Sequence, residues 1–139
     1  METYLVSIQA YDAFLTEFSE GRFPRDKWNH AAHLSMAASI VARGGGIGEV
    51  RAAIFAYNDT QGIVSTADSG YHETVTQFWC DRLSELLQGL GRGATGYDLA
   101  RAAAAGLAHR RGIFKAYYSF DLIQSREARV GYVPPDVLG

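Results

Sequence analysis

Apolar residues recur along most of this chain at the three- and four-residue spacing of amphipathic helices, and no stretch alternates with period two over strand length. Over residues 4 to 20, Leu5, Ile8, Tyr11, Leu15 and Phe18 fall on one face, and Gly21 stops the run. Pro24 and Asp26 then introduce a second helix over about 27 to 43, with Asp26 as the expected N-cap and Leu34, Ala37, Ala38 and Val41 as the apolar stripe. The triple glycine Gly44-Gly45-Gly46 ends it. A third helix over about 47 to 57 carries Val50, Ile54 and Tyr57. The segment from Asn58 to Gly70 is polar, glycine-punctuated and long for a helix connection, and connections of that length are often functional.

The strongest period lies over 71 to 90, where Val75, Trp79, Leu83, Leu86 and Leu90 share a face. An alanine-rich fifth helix follows over about 96 to 108, and a short one is expected near 120 to 129. Pro134-Pro135 forces an extended end. The expected fold is all-α: one domain over 1–139, a bundle of four main helices plus one or two short helices and an extended C-terminal tail. The tail from Tyr117 to Asp136 is rich in aromatics but lacks a helical period. It is expected to lie across the bundle as a cover, with Tyr118 reaching toward the histidine site and Arg129 bound to a carboxylate or a carbonyl.

Composition narrows the function. Apolar residues make up 47% of the 139 residues and charged residues 20%, which supplies one core and excludes a disordered chain. Thirteen basic and fifteen acidic residues leave a net charge of −2, so no basic face for nucleic acid is expected. The densest basic spot is Arg101 with His109-Arg110-Arg111 and Lys115, and His109 is expected at a helix C-terminus. No basic leader opens the chain, and no apolar run approaches the ~20 residues of a membrane span. The one cysteine, Cys80, allows no internal disulfide and reads as a buried thiol, and a reducing, cytoplasmic location is expected. The partner expected is a small molecule, with neither nucleic acid nor membrane, and a homodimer through the tail is the alternative use of that segment.

The candidate chemistry rests on histidines. His30 and His33, at i and i+3, share the inward face that carries Ala37 and Val41. His72 opens the fourth helix on the face of Val75, Trp79 and Leu83. Burying three imidazoles is costly unless each has a partner. A divalent transition metal, zinc, iron or copper, would supply one and keep an open position for a substrate. Convergence of His30, His33 and His72 on one ion is therefore expected. Glu73 is the candidate general base or extra ligand, with Tyr71 and Thr76 to orient it in the same cavity. Trp28 and Trp79 read as core aromatics or pocket walls.

Three further readings compete: a haem or small-ligand binding module, a partner surface, and a structural domain with core histidines. Gly44-Gly45-Gly46-Ile47-Gly48 follows a helix and lacks a P-loop lysine, so it does not read as a nucleotide site.

The motifs also resemble those of a family. Trp28-Asn29-His30-Ala31-Ala32-His33-Leu34 resembles the x-x-H-x-x-H-L motif of a family of small, uncharacterised bacterial all-helical proteins. Gly70-Tyr71-His72-Glu73-Thr74-Val75-Thr76-Gln77-Phe78-Trp79 is similar to its G-Y-H-E-T-[IV]-T-x-F-W signature. Tyr118-Ser119, Leu122-Ile123, Ser125, Ala128-Arg129 and Val133-Pro134-Pro135-Asp136 resemble its tail. The chain differs at Ala31, at Ser65-Thr66 and at Tyr132, where the family often carries arginine, Asn-Thr and tryptophan. The resemblance implies a site around the three histidines and names no reaction.

Overall fold

A computed structural model describes residues 2–137, and among these the protein is all-helical, with six α-helices and no strand. After a 3-10 turn at Thr3–Leu5, α1 spans Ile8–Ser19 and is capped by Ser7, whose Oγ accepts from Ala10 N at 3.0 Å. A second 3-10 turn, Arg25–Lys27, precedes α2 (His30–Ala42). The cap of α2 is Asn29, not Asp26: the chain leaves helical geometry at Trp28, and Asn29 Oδ1 accepts from Ala32 N at 2.9 Å. Helix α3 spans Ile47–Gln61, a turn longer than its apolar period. Its last turn is held by side chains, since Asn58 is buried and Gln61 donates to the Gly21 carbonyl at 2.7 Å.

Helices α4 (Glu73–Leu90) and α5 (Gly96–Ala105) follow, the latter opened by a reciprocal capping box between Thr95 and Asp98. Gly106 ends α5, so residues 107–109 form a 3-10 turn where a continuous helix was expected. Helix α6 is short, Arg126–Val130, and the chain beyond it is extended. No helix among the described residues is long and apolar enough to cross a membrane.

Helix α2 lies at the centre. It is apolar on nearly every side, and Ala32, Leu34, Met36, Ala37, Ala38, Ile40 and Val41 are all buried. Its main partners are α5 and α4. Small residues set the approach to α5: Ala100 and Ala103 have no exposed surface, and a Cβ added at Gly96 would stand 3.0 Å from Ser39 Cα. Gly96→Ala is therefore expected to destabilise the fold by about 1–2 kcal/mol although alanine is the better helix former. Urea unfolding measures it, and an unchanged or raised midpoint would show that the two helices separate freely.

The C-terminal segment is an ordered cover over the start of α4. The buried Thr74 donates through Oγ1 to the Gly131 carbonyl at 3.0 Å and accepts from Val133 N at 3.0 Å. Arg129, as expected, binds carbonyls, those of Gly70 (2.8 Å) and Ile123 (3.0 Å). Tyr118 does not reach the histidines. It is buried against Phe78, and its hydroxyl donates to the Val133 carbonyl at 2.8 Å, because the segment turns back on itself there.

Candidate functional site

His30 and His33, one turn apart at the start of α2, line a cavity of about 340 Å³ between α2, α3 and α4. Trp28, Leu34, Val50, Ile54, Val75 and Trp79 form most of its apolar wall. Both tryptophans read as possible pocket walls do line it. The His33 ring stacks on Trp28 with centroids 3.8 Å apart, and the His30 ring stands 4.6 Å from that of Trp79. Polar groups reach the cavity from Asn29, Thr76, Cys80 and Arg111. His30 Nε2 is buried and has no hydrogen-bond partner within the protein.

Burial holds both imidazoles neutral. It pulls His30 down to about 4, assisted by the positive charge of Arg111 and opposed by the Leu107 carbonyl. His33 is also pulled down to about 4, by burial and then by His30. Burial likewise raises the Cys80 thiol to about 12, which leaves it protonated and unreactive.

His72 does a different job. Its Nδ1 accepts from Val75 N at 3.2 Å and so caps α4, and its Nε2 donates to the Leu122 carbonyl at 2.8 Å. With one nitrogen accepting and the other donating, the ring is neutral and both nitrogens are used. Burial shifts its pKa downward as well. His72 borders a second, adjoining cavity of about 300 Å³, which it shares with His33, Tyr71 and Thr76. His33 thus stands between the other two histidines. Among the described residues, no three His, Cys, Asp or Glu side chains are gathered closely enough to hold one ion.

Glu73 faces away from the His30/His33 cavity. It forms a two-pronged ion pair with Arg51, with Arg51 Nε at 2.8 Å from Oε1, and Oε1 also accepts from the Tyr71 hydroxyl at 2.7 Å. The Arg51 guanidinium, then the Tyr71 hydroxyl, hold its carboxyl below the usual carboxylate range against the effect of burial. These groups line a separate, open cavity of about 610 Å³ under Tyr132 and Phe55. Thr76, expected to orient Glu73, instead donates back to the His72 carbonyl at 2.9 Å and borders both histidine cavities.

The residues from Gly70 to Thr76 therefore form a junction between α4, α3 and the C-terminal segment. Gly70 sits at φ +85°, where a Cβ would stand 2.8 Å from Ser65 Cα, and its carbonyl receives Arg129. Two participants escaped the sequence reading. Arg111 comes to the cavity mouth because the turns after α5 fold back toward the start of α2. Its signal was the basic run 109–111. Arg51 is an isolated charge beside the apolar stripe of α3, and nothing local points to Glu73, 22 positions away.

No protein-family model matches the chain, and no curated protein or solved structure matches it.

Proposed function

We propose that the protein binds a small, largely apolar organic molecule between α2, α3 and α4, with His30 receiving its polar group. One observation carries this reading: the buried His30 Nε2 lacks a partner on the wall of a cavity of about 340 Å³. A buried polar atom left unpaired costs roughly 1–3 kcal/mol, which a ligand hydrogen bond would recover. The volume falls within the ~300–1,000 Å³ range of small-molecule sites, and so does the lining of aromatic walls with few polar groups.

Trp28 and Trp79 make the test direct, since they are the chain's only tryptophans and both line the cavity. In a fragment screen followed by NMR, binders should shift both indole N–H resonances. His30→Phe, which keeps a ring and removes the nitrogens, should weaken binders that carry a polar group by about tenfold, from the loss of about 1–2 kcal/mol. A screen in which no fragment moves either indole would sink the proposal.

The second reading is a metal-dependent enzyme, a hydrolase or oxygenase by type, using zinc, iron or copper. It is favoured by the neutral state of His30 and His33 on one wall, since neutral imidazole is the ligating form. To join them His72 would have to release Leu122, and Glu73 would have to release Arg51. Elemental analysis of untagged protein decides between the readings. Stoichiometric metal lost in both His30→Ala and His33→Ala supports the enzyme, and metal-free protein that binds fragments supports the module.

A further inference from the structure

We propose that the ligand of the His30/His33 cavity is an amphiphilic organic anion, with its apolar body between the tryptophans and its charged head outside, against Arg111 and Arg101. The inference rests on the binding reading above and adds the ligand's charge and its orientation.

The cavity does not end at His30. A second recess of about 490 Å³ shares Asn29, His30 and Arg111 with it, so the imidazole borders both a chamber walled by tryptophans and a recess lined by alanines and edged by arginines. Alanines 104, 105 and 108 floor the outer recess and keep it open. Arg101, His109 and Arg111 face it, with Glu2 as the acidic residue on its wall. Among the described residues, neither Arg101 nor Arg111 lies within ion-pairing distance of a carboxylate, a state they share with Arg25, Arg92, Arg110 and Arg129, but of these six they alone line the outer recess. Arg101 lies over the Tyr97 ring at 5.6 Å, a contact that leaves its N–H donors available.

The two chambers thus demand different chemistry from one molecule. The inner walls take an aromatic or aliphatic body, and neutral His30, bordering both chambers, accepts or donates a hydrogen bond. The outer recess offers guanidinium donors in the forked geometry that suits a carboxylate, sulfonate or phosphate. A neutral ligand fills the inner chamber and leaves the guanidiniums unused, and a cation meets repulsion from Arg111. Both guanidiniums are exposed, so the preference for an anion should be modest and should shrink as salt screens it.

A matched pair of fluorescent probes tests this on the full chain. N-phenyl-1-naphthylamine and 1-anilinonaphthalene-8-sulfonate share an apolar body and differ by one sulfonate. At low ionic strength the sulfonate should bind at one site per chain, about tenfold tighter than the neutral amine. The ratio should fall in Arg111→Gln and approach one in the Arg101→Gln/Arg111→Gln double variant. It should stay unchanged in Arg92→Gln, which removes a cation that lines neither chamber. Equal binding of the two probes to the unaltered protein would overturn the anion inference and leave the cavity reading standing. A preference that survives the double variant would also overturn it. Failure of both probes to bind would overturn both readings.

Discussion

Replacing His72 by alanine is expected to destabilise the protein by about 3 kcal/mol and to lower its melting temperature by roughly 10 °C. Three losses add. Val75 N loses its cap, worth about 1 kcal/mol. The Leu122 carbonyl, on a fully buried residue, loses its donor, at a cost of about 1–2 kcal/mol. The ring itself is buried, and its removal leaves a void beside α4. His72→Asn separates the terms: it restores a capping oxygen at the same position and should recover about 1 kcal/mol without reaching Leu122. The same variant should loosen the cover, so limited proteolysis should cut earlier after Arg126 and Arg129. Denaturant unfolding of the three proteins, with proteolysis alongside, measures both effects. A His72→Ala protein as stable as the parent would mean that the bond to Leu122 holds nothing in place.

The second large effect is acid lability well above the carboxylate range. His30 and His33 titrate near 4 in the folded protein and near the ordinary 6.5 when unfolded. Between those values the unfolded chain binds more protons than the folded one, so unfolding becomes easier as pH falls. Stability is therefore full above pH 6.5 and is lost progressively down to about pH 4. His33, the more enclosed ring, accounts for on the order of 3 kcal/mol over the whole window, and the partly wetted His30 for less. The carboxylates of Glu49, Asp68, Glu73 and Asp136 are all held below their usual range by partners, so their contribution disappears only below about pH 4.5. The interval from pH 6.5 to 4.5 thus reports on the histidines. Urea midpoints across it should fall steadily in the parent, and His33→Phe, which stacks on Trp28 without titrating, should flatten the slope. A parent profile flat from pH 7 to 4.5 would show that the imidazoles are as wet folded as unfolded.

The outcome at His72 shows where local pattern stops being informative. Its spacing from Val75, Trp79 and Leu83 predicts an inward aim, and the ring is buried to 7% exposure, although His72 is the extended N-cap of α4 and stands outside the helix. Phase along a helix fixes direction, not partner. What meets the ring there is a carbonyl 50 positions later in the chain, on a segment without a helical period of its own. Glu73 behaves alike: its place in the first turn of α4 is plain from the order of residues, but its ion pair with Arg51 depends on how α3 packs against α4.

Periodicity, caps and glycine punctuation depend on neighbours within a turn or two, and so the sequence by itself determined the all-helical class, the centres of the five longer helices and the inward aim of His30 and His33, whereas the short sixth helix, expected near 120 to 129, starts only at Arg126. It also determined that the aromatic C-terminal segment had to lie on something. The ends of helices were less legible, because side-chain bonds across the fold extend α3 to Gln61 and a backbone break after α5 shortens that helix. Only the tertiary structure decided how the polar residues divide their work. His72, Thr74 and Arg129 spend their hydrogen bonds on the junction with the C-terminal segment, Glu73 on Arg51, while His30 is left with an unpartnered nitrogen on a cavity that Arg111 reaches from a distant turn. The reason is physical: a side chain's direction is a local property of its backbone, whereas the group that satisfies it is a property of whatever the rest of the chain brings alongside.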